Sequence, residues 1–299
     1  MLKVRNLTKR YGNAEVVRGL DLDVRRGECF GLLGPNGAGK TTSVECIQAL
    51  RRPDSGEVRV LGLDPRTQAG ELRRSIGSQL QQSALPDRMK VWEALDLFAA
   101  FAPQAVDWRA LMQAWGLDSL AGRAFGNLSG GQRQRLLIAL ALVNEPKVVF
   151  LDEMTTGLDP AARRATWDLI REVRDRGCTI VIVTHFMEEA ELLCDRVAVV
   201  DKGRIVATGS PQGLISAEPA GVHVQFSTTV KDVGFLRKVE HVDRLLRDGD
   251  RVEVEGSGPV LALVAAELVK HGIVPDDLRV ERPTLEDVFL RLTGHSMRD

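Results

Sequence analysis

A glycine-rich turn between an apolar segment and a helix-forming segment constrains the fold of this 299-residue chain most strongly. The short apolar run Cys29–Leu33 comes before the turn and is typical of a buried strand. The turn itself begins at Gly34, and the segment Thr41–Ile47 after it has the pattern of a helix. The sequence therefore predicts that the glycines connect a strand to a helix.

The turn matches the phosphate-binding pattern G-x-x-x-x-G-K-[ST]. Its small residues let successive backbone N–H groups point inward around a phosphate, and the N-terminus of the following helix adds partial positive charge. We expect Lys40 to bridge the β- and γ-phosphates of a nucleotide and the Thr41 hydroxyl to contact Mg²⁺. The alternative is a glycine-rich turn that happens to carry a lysine. It is disfavoured because the strand and the helix that the pattern requires are both present.

Composition limits the other classes of function. The net charge is −1 and no basic run occurs, so nothing favours an electrostatic nucleic-acid binder. The cysteines are Cys29, Cys46, Cys178 and Cys194, and their isolation favours reduced thiols in a cytosolic compartment over disulfides or a zinc site. We see no signal pattern at the N-terminus, and the longest apolar runs fall far short of the ~20 residues that span a bilayer. We therefore expect any membrane role to need a partner chain.

A second candidate site feature is a pair of carboxylates at the end of the apolar segment that begins at Lys147. Asp152 and Glu153 end what is predicted to be a buried strand, and parallel sheets bind ligands at the carboxyl ends of their strands. We expect Asp152 to hold Mg²⁺ through a water and Glu153 to orient and polarise the attacking water. The alternative, an acidic loop start, loses weight because a phosphate loop is present.

Other positions allow two interpretations each. Tyr11, just ahead of the nucleotide loop, fits either an adenine-stacking ring or a turn residue that packs on its own hairpin. Gln81 and Gln82 follow a predicted strand, and their amides fit either a metal or water contact or a solvated loop. His185 follows the apolar strand Thr179–Thr184, where a packed or capping histidine is more common than a catalytic one. The preceding motifs favour a γ-phosphate donor for His185.

The segment Leu128–Gln132 adds a second anion-binding helix start. Ser129 is well placed as an N-cap, and Gly130 and Gly131 expose backbone N–H groups at the start of the helix that runs to Leu142. The stretch before it, Lys90 to Leu120, has the periodicity of helices and is predicted to form a helical insert.

Taken together, these motifs resemble the nucleotide-binding domain of ATP-binding cassette (ABC) transporters over Met1 to Gly213. The resemblance implies an α/β P-loop NTPase fold with a RecA-like core, an antiparallel β subdomain and a helical subdomain at about 82–140. In this family the LSGGQ signature at Ser129 faces the ATP of the opposite subunit in a head-to-tail dimer. One departure is Met154, where most members have proline, and it concerns loop stiffness rather than chemistry.

The resemblance also implies roles for individual residues. Glu153, His185 and Lys40 are expected to be catalytic, and Thr41, Gln81 and Asp152 are expected to hold the metal. The residues expected to bind ATP or to complete its site are Tyr11, Gly34, Pro35, Asn36, Gly37, Ala38, Gly39, Lys40, Thr41, Thr42, Gln81, Ser129, Gly130, Gly131, Gln132 and Asp159.

The remainder, Leu214 to Asp299, predicts a small α+β domain. A strand at Val222–Phe226, a helix at Lys231–Val239, a hairpin, a helix from Val260, a short strand and a last helix give a split β-α-β order. The final segment resembles the tail of bacterial daunorubicin-resistance-type exporter ATPases. Thr284 with Asp287 also fits an ordinary capping box, so both interpretations stay open.

The leading hypothesis from the sequence is an ATP-hydrolysing subunit of a bacterial ABC exporter. The resemblance implies a homodimer that binds ATP and Mg²⁺, pairs with a separate transmembrane permease and lies on the cytoplasmic face of the membrane, with no nucleic acid expected. The alternatives are a soluble ABC ATPase that acts on nucleic acid or ribosomes, and a module that senses ATP without hydrolysing it. The single cassette without a heptad run disfavours the first, and the presence of Glu153 and His185 disfavours the second.

Overall fold

The computed structural model describes residues 1–81, 83–102, 106–217, 222–281 and 283–294. Gln82, one of the two candidate loop glutamines, lies outside the described residues. The chain divides into two compact units, and the second of them is Gln212–Arg291. No helix of the described residues combines the length and the apolar character needed to cross a membrane.

The first unit is built on two sheets. Its strands are β1 (Leu2–Tyr11), β2 (Ala14–Val24), β3 (Cys29–Leu33), β4 (Ser55–Val60), β5 (Ile76–Gln79), β6 (Val148–Asp152), β7 (Thr179–Thr184), β8 (Arg196–Asp201) and β9 (Arg204–Gly209). The larger sheet has the order β5-β6-β7-β3-β8-β9, parallel except for β9. The smaller sheet, β2-β1-β4, is antiparallel, in agreement with the antiparallel β subdomain that the resemblance implies.

Burial explains why these segments are strands. The residues of β3, β6 and β7 are all buried, and such continuous runs of Val, Ile, Leu and Phe are typical of parallel strands covered on both faces. Because β3, β6 and β7 are parallel neighbours, their carboxyl ends meet at one edge of the sheet. This edge carries the glycine-rich turn, the acidic pair and His185.

The helices of the first unit surround these sheets. They are α1 (Lys40–Ile47), α2 (Ala69–Ser75), α3 (Val91–Phe101), α4 (Trp108–Ala114), α5 (Gly130–Leu142), α6 (Pro160–Asp175) and α7 (Met187–Leu193). A further helix, α8 (Pro211–Ser216), begins at the last residue before the second unit. The helical insert predicted between Lys90 and Leu120 is confirmed by α3 and α4. The predicted N-cap Ser129 initiates α5. Asp159, which was not predicted as a cap, initiates α6, and Pro160 occupies the first turn of that helix.

The second unit has the predicted split topology with one correction. Its strands are β10 (Val222–Ser227), β11 (Val242–Asp248), β12 (Arg251–Gly256) and β13 (Arg279–Glu281), and its helices are α9 (Val260–Lys270) and α10 (Leu285–Thr293). The sheet order is β11-β12-β10-β13, in which β12 lies antiparallel between β10 and β11.

The helix predicted at Lys231–Val239 is wrong. The structure has only a short 3-10 helix, Gly234–Lys238, in its place. The Asp232 side chain accepts a hydrogen bond from the Gly234 N–H at 2.9 Å, which favours a turn at the point where an α-helix would have to begin. Leu236 is nevertheless buried in the core of this unit, as one face of a helix would have been.

Candidate functional site

The glycine-rich turn is shaped by two glycines whose place no other residue could take without movement. Gly34 has φ +158°, and a Cβ there would lie 2.2 Å from the Val200 carbonyl oxygen. Gly39 has φ +95°, and its Cβ would lie 2.5 Å from the Val16 carbonyl oxygen. Both distances are far inside van der Waals contact, so the close packing of the turn against two neighbouring strands requires glycine. The turn is thereby held as a fixed cradle at the N-terminus of α1.

Lys40 is buried at this turn. Its ammonium group donates hydrogen bonds to the carbonyl oxygens of Gly34, at 2.7 Å, and Pro35, at 2.8 Å. Burial lowers the pKa of Lys40, and the nearby carboxylates of Glu153 and Asp152 act in the opposite direction. The lysine therefore places a positive charge at the turn, as the phosphate-loop pattern predicts.

Asp152 ends β6 and is 3% exposed. Burial raises its pKa from 3.8 to about 6, against the effect of a hydrogen bond from the Thr41 side chain. Its Oδ1 atom is buried and has no hydrogen-bond partner among the described residues. An unpartnered carboxylate oxygen beside a threonine hydroxyl provides the hard oxygen ligands that Mg²⁺ prefers, so these two residues fit a magnesium site.

The Glu153 carboxylate contacts two other predicted site residues, Gln81 and His185. Its Oε2 accepts a hydrogen bond from the Gln81 Nε2 at 2.8 Å, and its Oε1 lies 3.3 Å from the His185 Nδ1. The backbone of Glu153 has φ +49°, a left-handed conformation that is unusual for a glutamate. Its N–H donates to the Val183 carbonyl oxygen at 2.8 Å, which holds the chain in this bend. The bend turns the carboxylate toward Gln81 and His185.

The signature segment forms a separate feature of the first unit. Ser129 accepts a hydrogen bond from the Gln132 N–H, and the Gln132 side chain accepts one in return from the Ser129 N–H, at 2.9 Å. This capping box leaves the start of α5 exposed. A cavity of about 360 Å³ is lined by this segment and by the turn before α6, where Asp159 accepts a hydrogen bond from the Ala162 N–H at 2.9 Å.

Tyr11 ends β1, and 41% of its surface is exposed. The Arg51 guanidinium lies 5.2 Å from its ring centroid and the Lys9 ammonium lies 5.8 Å away, so the ring contacts cations of its own unit. These contacts occupy part of the ring, and adenine stacking stays a prediction.

Sequence reasoning missed the support of the nucleotide loop by the β8–β9 hairpin. Gly203 at the hairpin turn donates its N–H to the Ala38 carbonyl oxygen at 3.0 Å, and its own carbonyl accepts from the Arg18 N–H at 2.8 Å. The pattern of two apolar runs around Lys202–Gly203 is typical of a hairpin and carries no sign of a contact with the loop. The support that this turn gives to the loop depends on a contact between Ala38 and Gly203, which are 165 residues apart in the sequence.

Comparisons with known proteins agree with this geometry. Residues 17–156 match the family model described as "ABC transporter". The chain is 41% identical to the Nod factor export ATP-binding protein I of Burkholderia orbicola (strain AU 1054), with 99% of this chain and 97% of that protein covered. It is 38% identical to the daunorubicin resistance ATP-binding protein DrrA3 of Streptomyces coeruleorubidus, with 99% and 97% covered. Among solved structures, the dimeric bacterial ABC transporter cassette MJ0796 is 28% identical at a TM-score of 0.65, covering 70% of this chain and 98% of that one.

Proposed function

The chain belongs to the ABC transporter family as an ATP-binding ATPase subunit, and we propose that it powers export through a separate membrane permease. The observation that carries the proposal for the active site is the convergence of Gln81 and His185 on the Glu153 carboxylate, at the same sheet edge as Lys40. Phosphoryl transfer to water needs a charge-stabilising cradle and a group that orients the water, and this edge supplies both.

We propose the following roles for these side chains. The backbone N–H groups of the loop and the Lys40 ammonium stabilise negative charge on the phosphates. The Glu153 carboxylate orients the attacking water and accepts its proton, while Gln81 and His185 hold that carboxylate in place. Asp152 and Thr41 would hold Mg²⁺ together with Gln81. When bound, the ion supplies positive charge that offsets the charge developing on the phosphate oxygens.

We also propose a head-to-tail dimer in which Ser129 of one chain completes the ATP site of the other. The exposed start of α5 supports this, because the N–H groups of Gly130 and Gly131 and the Ser129 hydroxyl are anion-binding groups that lie on the surface. The similar cassette MJ0796 is described as dimeric. Two ATP molecules would then lie between the subunits, and Asp159 would lie near the shared face.

The proposed permease contact lies on the helical insert. Several large apolar side chains of α3 are exposed, and Phe101 is 79% exposed. Phe98 and Phe101 also line a cavity of about 310 Å³ together with Ser78 and Gly77 of β5, the strand that leads to Gln81. Exposed apolar patches of this kind mark interaction sites. We propose that the permease docks here, which would place the chain at the inner face of the membrane.

Export is favoured over the other functions. The two relatives named above carry names for export of Nod factor and for daunorubicin resistance, and both align with this chain almost end to end. We therefore place the soluble nucleic-acid ATPase behind the exporter. We propose no cargo, because the relatives differ in what their names say they handle.

The test of the active-site proposal is the Glu153→Gln variant. The amide keeps the shape of the side chain but cannot accept a proton, so we expect steady-state ATP hydrolysis to fall by about 100-fold or more. ATP binding, followed by equilibrium titration with a fluorescent analogue, should stay close to wild type. The control is Glu188→Gln, an exposed glutamate of α7, which should hydrolyse ATP normally. A normal turnover in Glu153→Gln would contradict the role of Glu153, and a wild type without hydrolysis would favour an ATP sensor.

A further inference from the structure

One buried carboxylate of α7 has no role in the proposed chemistry. Glu189 of α7 is 0% exposed. Its Oε1 accepts hydrogen bonds from the Thr155 Oγ1, at 2.7 Å, and from the Trp167 Nε1, at 3.1 Å. Its Oε2 is buried and has no hydrogen-bond partner among the described residues. Thr155 and Trp167 are buried as well, at 0% and 3% exposure.

The two donors and Glu189 come from three different segments of the site. Thr155 lies two residues after Glu153. Trp167 lies on α6, the helix that Asp159 caps. Glu189 lies four residues after His185. One oxygen atom therefore connects the segment that carries the water-orienting glutamate with the helices that follow Asp159 and His185.

A second contact joins α6 to Phe186, the residue just before α7. The Arg163 guanidinium of α6 lies over the Phe186 ring at 4.6 Å, and this ring lies 4.2 Å from the His185 ring, measured between centroids. Arg163 and Trp167 are four residues apart, so they share one face of α6. That face contacts Phe186, next to His185, and Glu189 of α7.

We propose that Glu189 is a positioning residue that fixes His185 and Glu153 relative to each other. The inference rests on the proposed function, since it assigns Glu189 a part in the same hydrolysis site. Burying a carboxylate with one unpartnered oxygen costs free energy that its two hydrogen bonds offset only in part, so stability alone is a poor explanation for Glu189. What Glu189 provides is one oxygen atom that accepts hydrogen bonds from two donors on separate segments, and this links the segments. When that acceptor is lost, the Thr155 segment and α7 can shift independently, and Glu153 and His185 with them.

The test compares Glu189→Ala, Glu189→Gln and the exposed control Glu188→Gln in the full-length protein. We expect Glu189→Ala to lower kcat by about 10-fold or more, as is usual when an outer partner of a site residue is removed. KM and the equilibrium affinity for ATP should stay within about three-fold, because the loop at Lys40 is untouched. Glu189→Gln keeps an oxygen that accepts from both donors, so it should restore kcat to within about three-fold of wild type.

A second pair of variants covers the case in which Glu189→Ala does not fold. Thr155→Val removes one of the two hydrogen bonds at nearly constant volume and should lower kcat with KM retained, whereas Thr155→Ser keeps the hydroxyl and should not. A normal kcat in folded Glu189→Ala, or in Thr155→Val if the alanine variant is unfolded, would overturn the proposal. The Glu153→Gln variant separates the two ideas: its normal turnover would reject the site itself, whereas its loss together with normal Glu189→Ala turnover would reject the role of Glu189 alone.

Discussion

Single residues of the site carry charges that the fold disfavours. Burial raises the pKa of Asp152 to about 6 and lowers the pKa of Lys40, so each group is pushed toward its neutral form. Asp152 has to be ionised to bind Mg²⁺. Because its folded-state pKa is higher than its unfolded value of 3.8, the folded protein binds the proton more tightly. This contribution to stability is therefore present below pH 4 and is lost as the pH rises through about 6.

We expect Asp152→Asn to stabilise the protein in the absence of nucleotide and metal, and to remove its activity. At pH 7.5 the free energy of unfolding should rise by about 1–3 kcal/mol, since the neutral amide avoids the burial of a charge. The gain should shrink at pH 4.5, where the wild-type carboxyl is protonated in the folded state. Urea titrations at the two pH values measure the difference.

The control for Asp152→Asn is Asp54→Asn. A hydrogen bond from the Lys9 side chain and another from the Arg10 backbone lower the pKa of Asp54. Loss of that carboxylate should therefore reduce stability at pH 7.5, opposite in sign to Asp152→Asn. A destabilised Asp152→Asn at pH 7.5 would show that the Thr41 hydrogen bond outweighs the cost of burial.

At the scale of elements, local patterns were enough to find most strands and helix starts. The apolar run Thr179–Thr184 is a strand, and Ser129 caps a helix, because strand burial and N-caps depend on neighbours within a few residues. The helix predicted at Lys231–Val239 was wrong because the Asp232 side chain competes for a backbone N–H at the helix start.

Contacts between site residues that are far apart in the sequence could not be predicted from local patterns. The hydrogen bond between Gln81 and Glu153 spans 72 residues and depends on β5 and β6 being parallel neighbours. The residues alone left Gln81 open between a site role and a solvated loop. Only the resemblance to a family placed it at the metal, and the structure adds its contact with Glu153. Glu189 carried no signal at all, since a glutamate in a short helix looks like any exposed charge.

The prediction for the loop element compares two glycine substitutions in nucleotide-free protein. Gly37 has φ +80° and no atom within 4 Å of an added Cβ, so Gly37→Ala should cost only the left-handed backbone strain, about 1 kcal/mol. At Gly39 the added Cβ would also meet the Val16 carbonyl oxygen at 2.5 Å. We expect Gly39→Ala to lose at least about 2 kcal/mol more, seen as a lower urea midpoint. Equal losses would mean that β2 yields to the methyl group.

The whole molecule is proposed to act as a dimer, and symmetry makes that proposal testable. In a two-fold head-to-tail dimer each ATP site combines the Lys40 loop of one chain with Ser129 of the other. Neither Lys40→Ala nor Ser129→Ala alone leaves an intact site in a homodimer. In a mixed dimer, one site carries both defects and the other site carries neither. The fold of each variant is expected to survive, since Ser129→Ala removes only a helix cap, at about 1 kcal/mol.

We therefore expect ATP hydrolysis to reappear when the two inactive variants are mixed. Half of the dimers in an equal mixture contain both variants, and one of their two sites is intact, so random pairing restores about a quarter of the wild-type rate if the sites work independently. The control mixes Lys40→Ala with Glu153→Gln. Lys40 and Glu153 belong to the same chain's half of each site, so no pairing yields an intact site and no activity should return. Recovery in both mixtures, or in neither, would contradict the head-to-tail arrangement and leave Ser129 without its proposed partner.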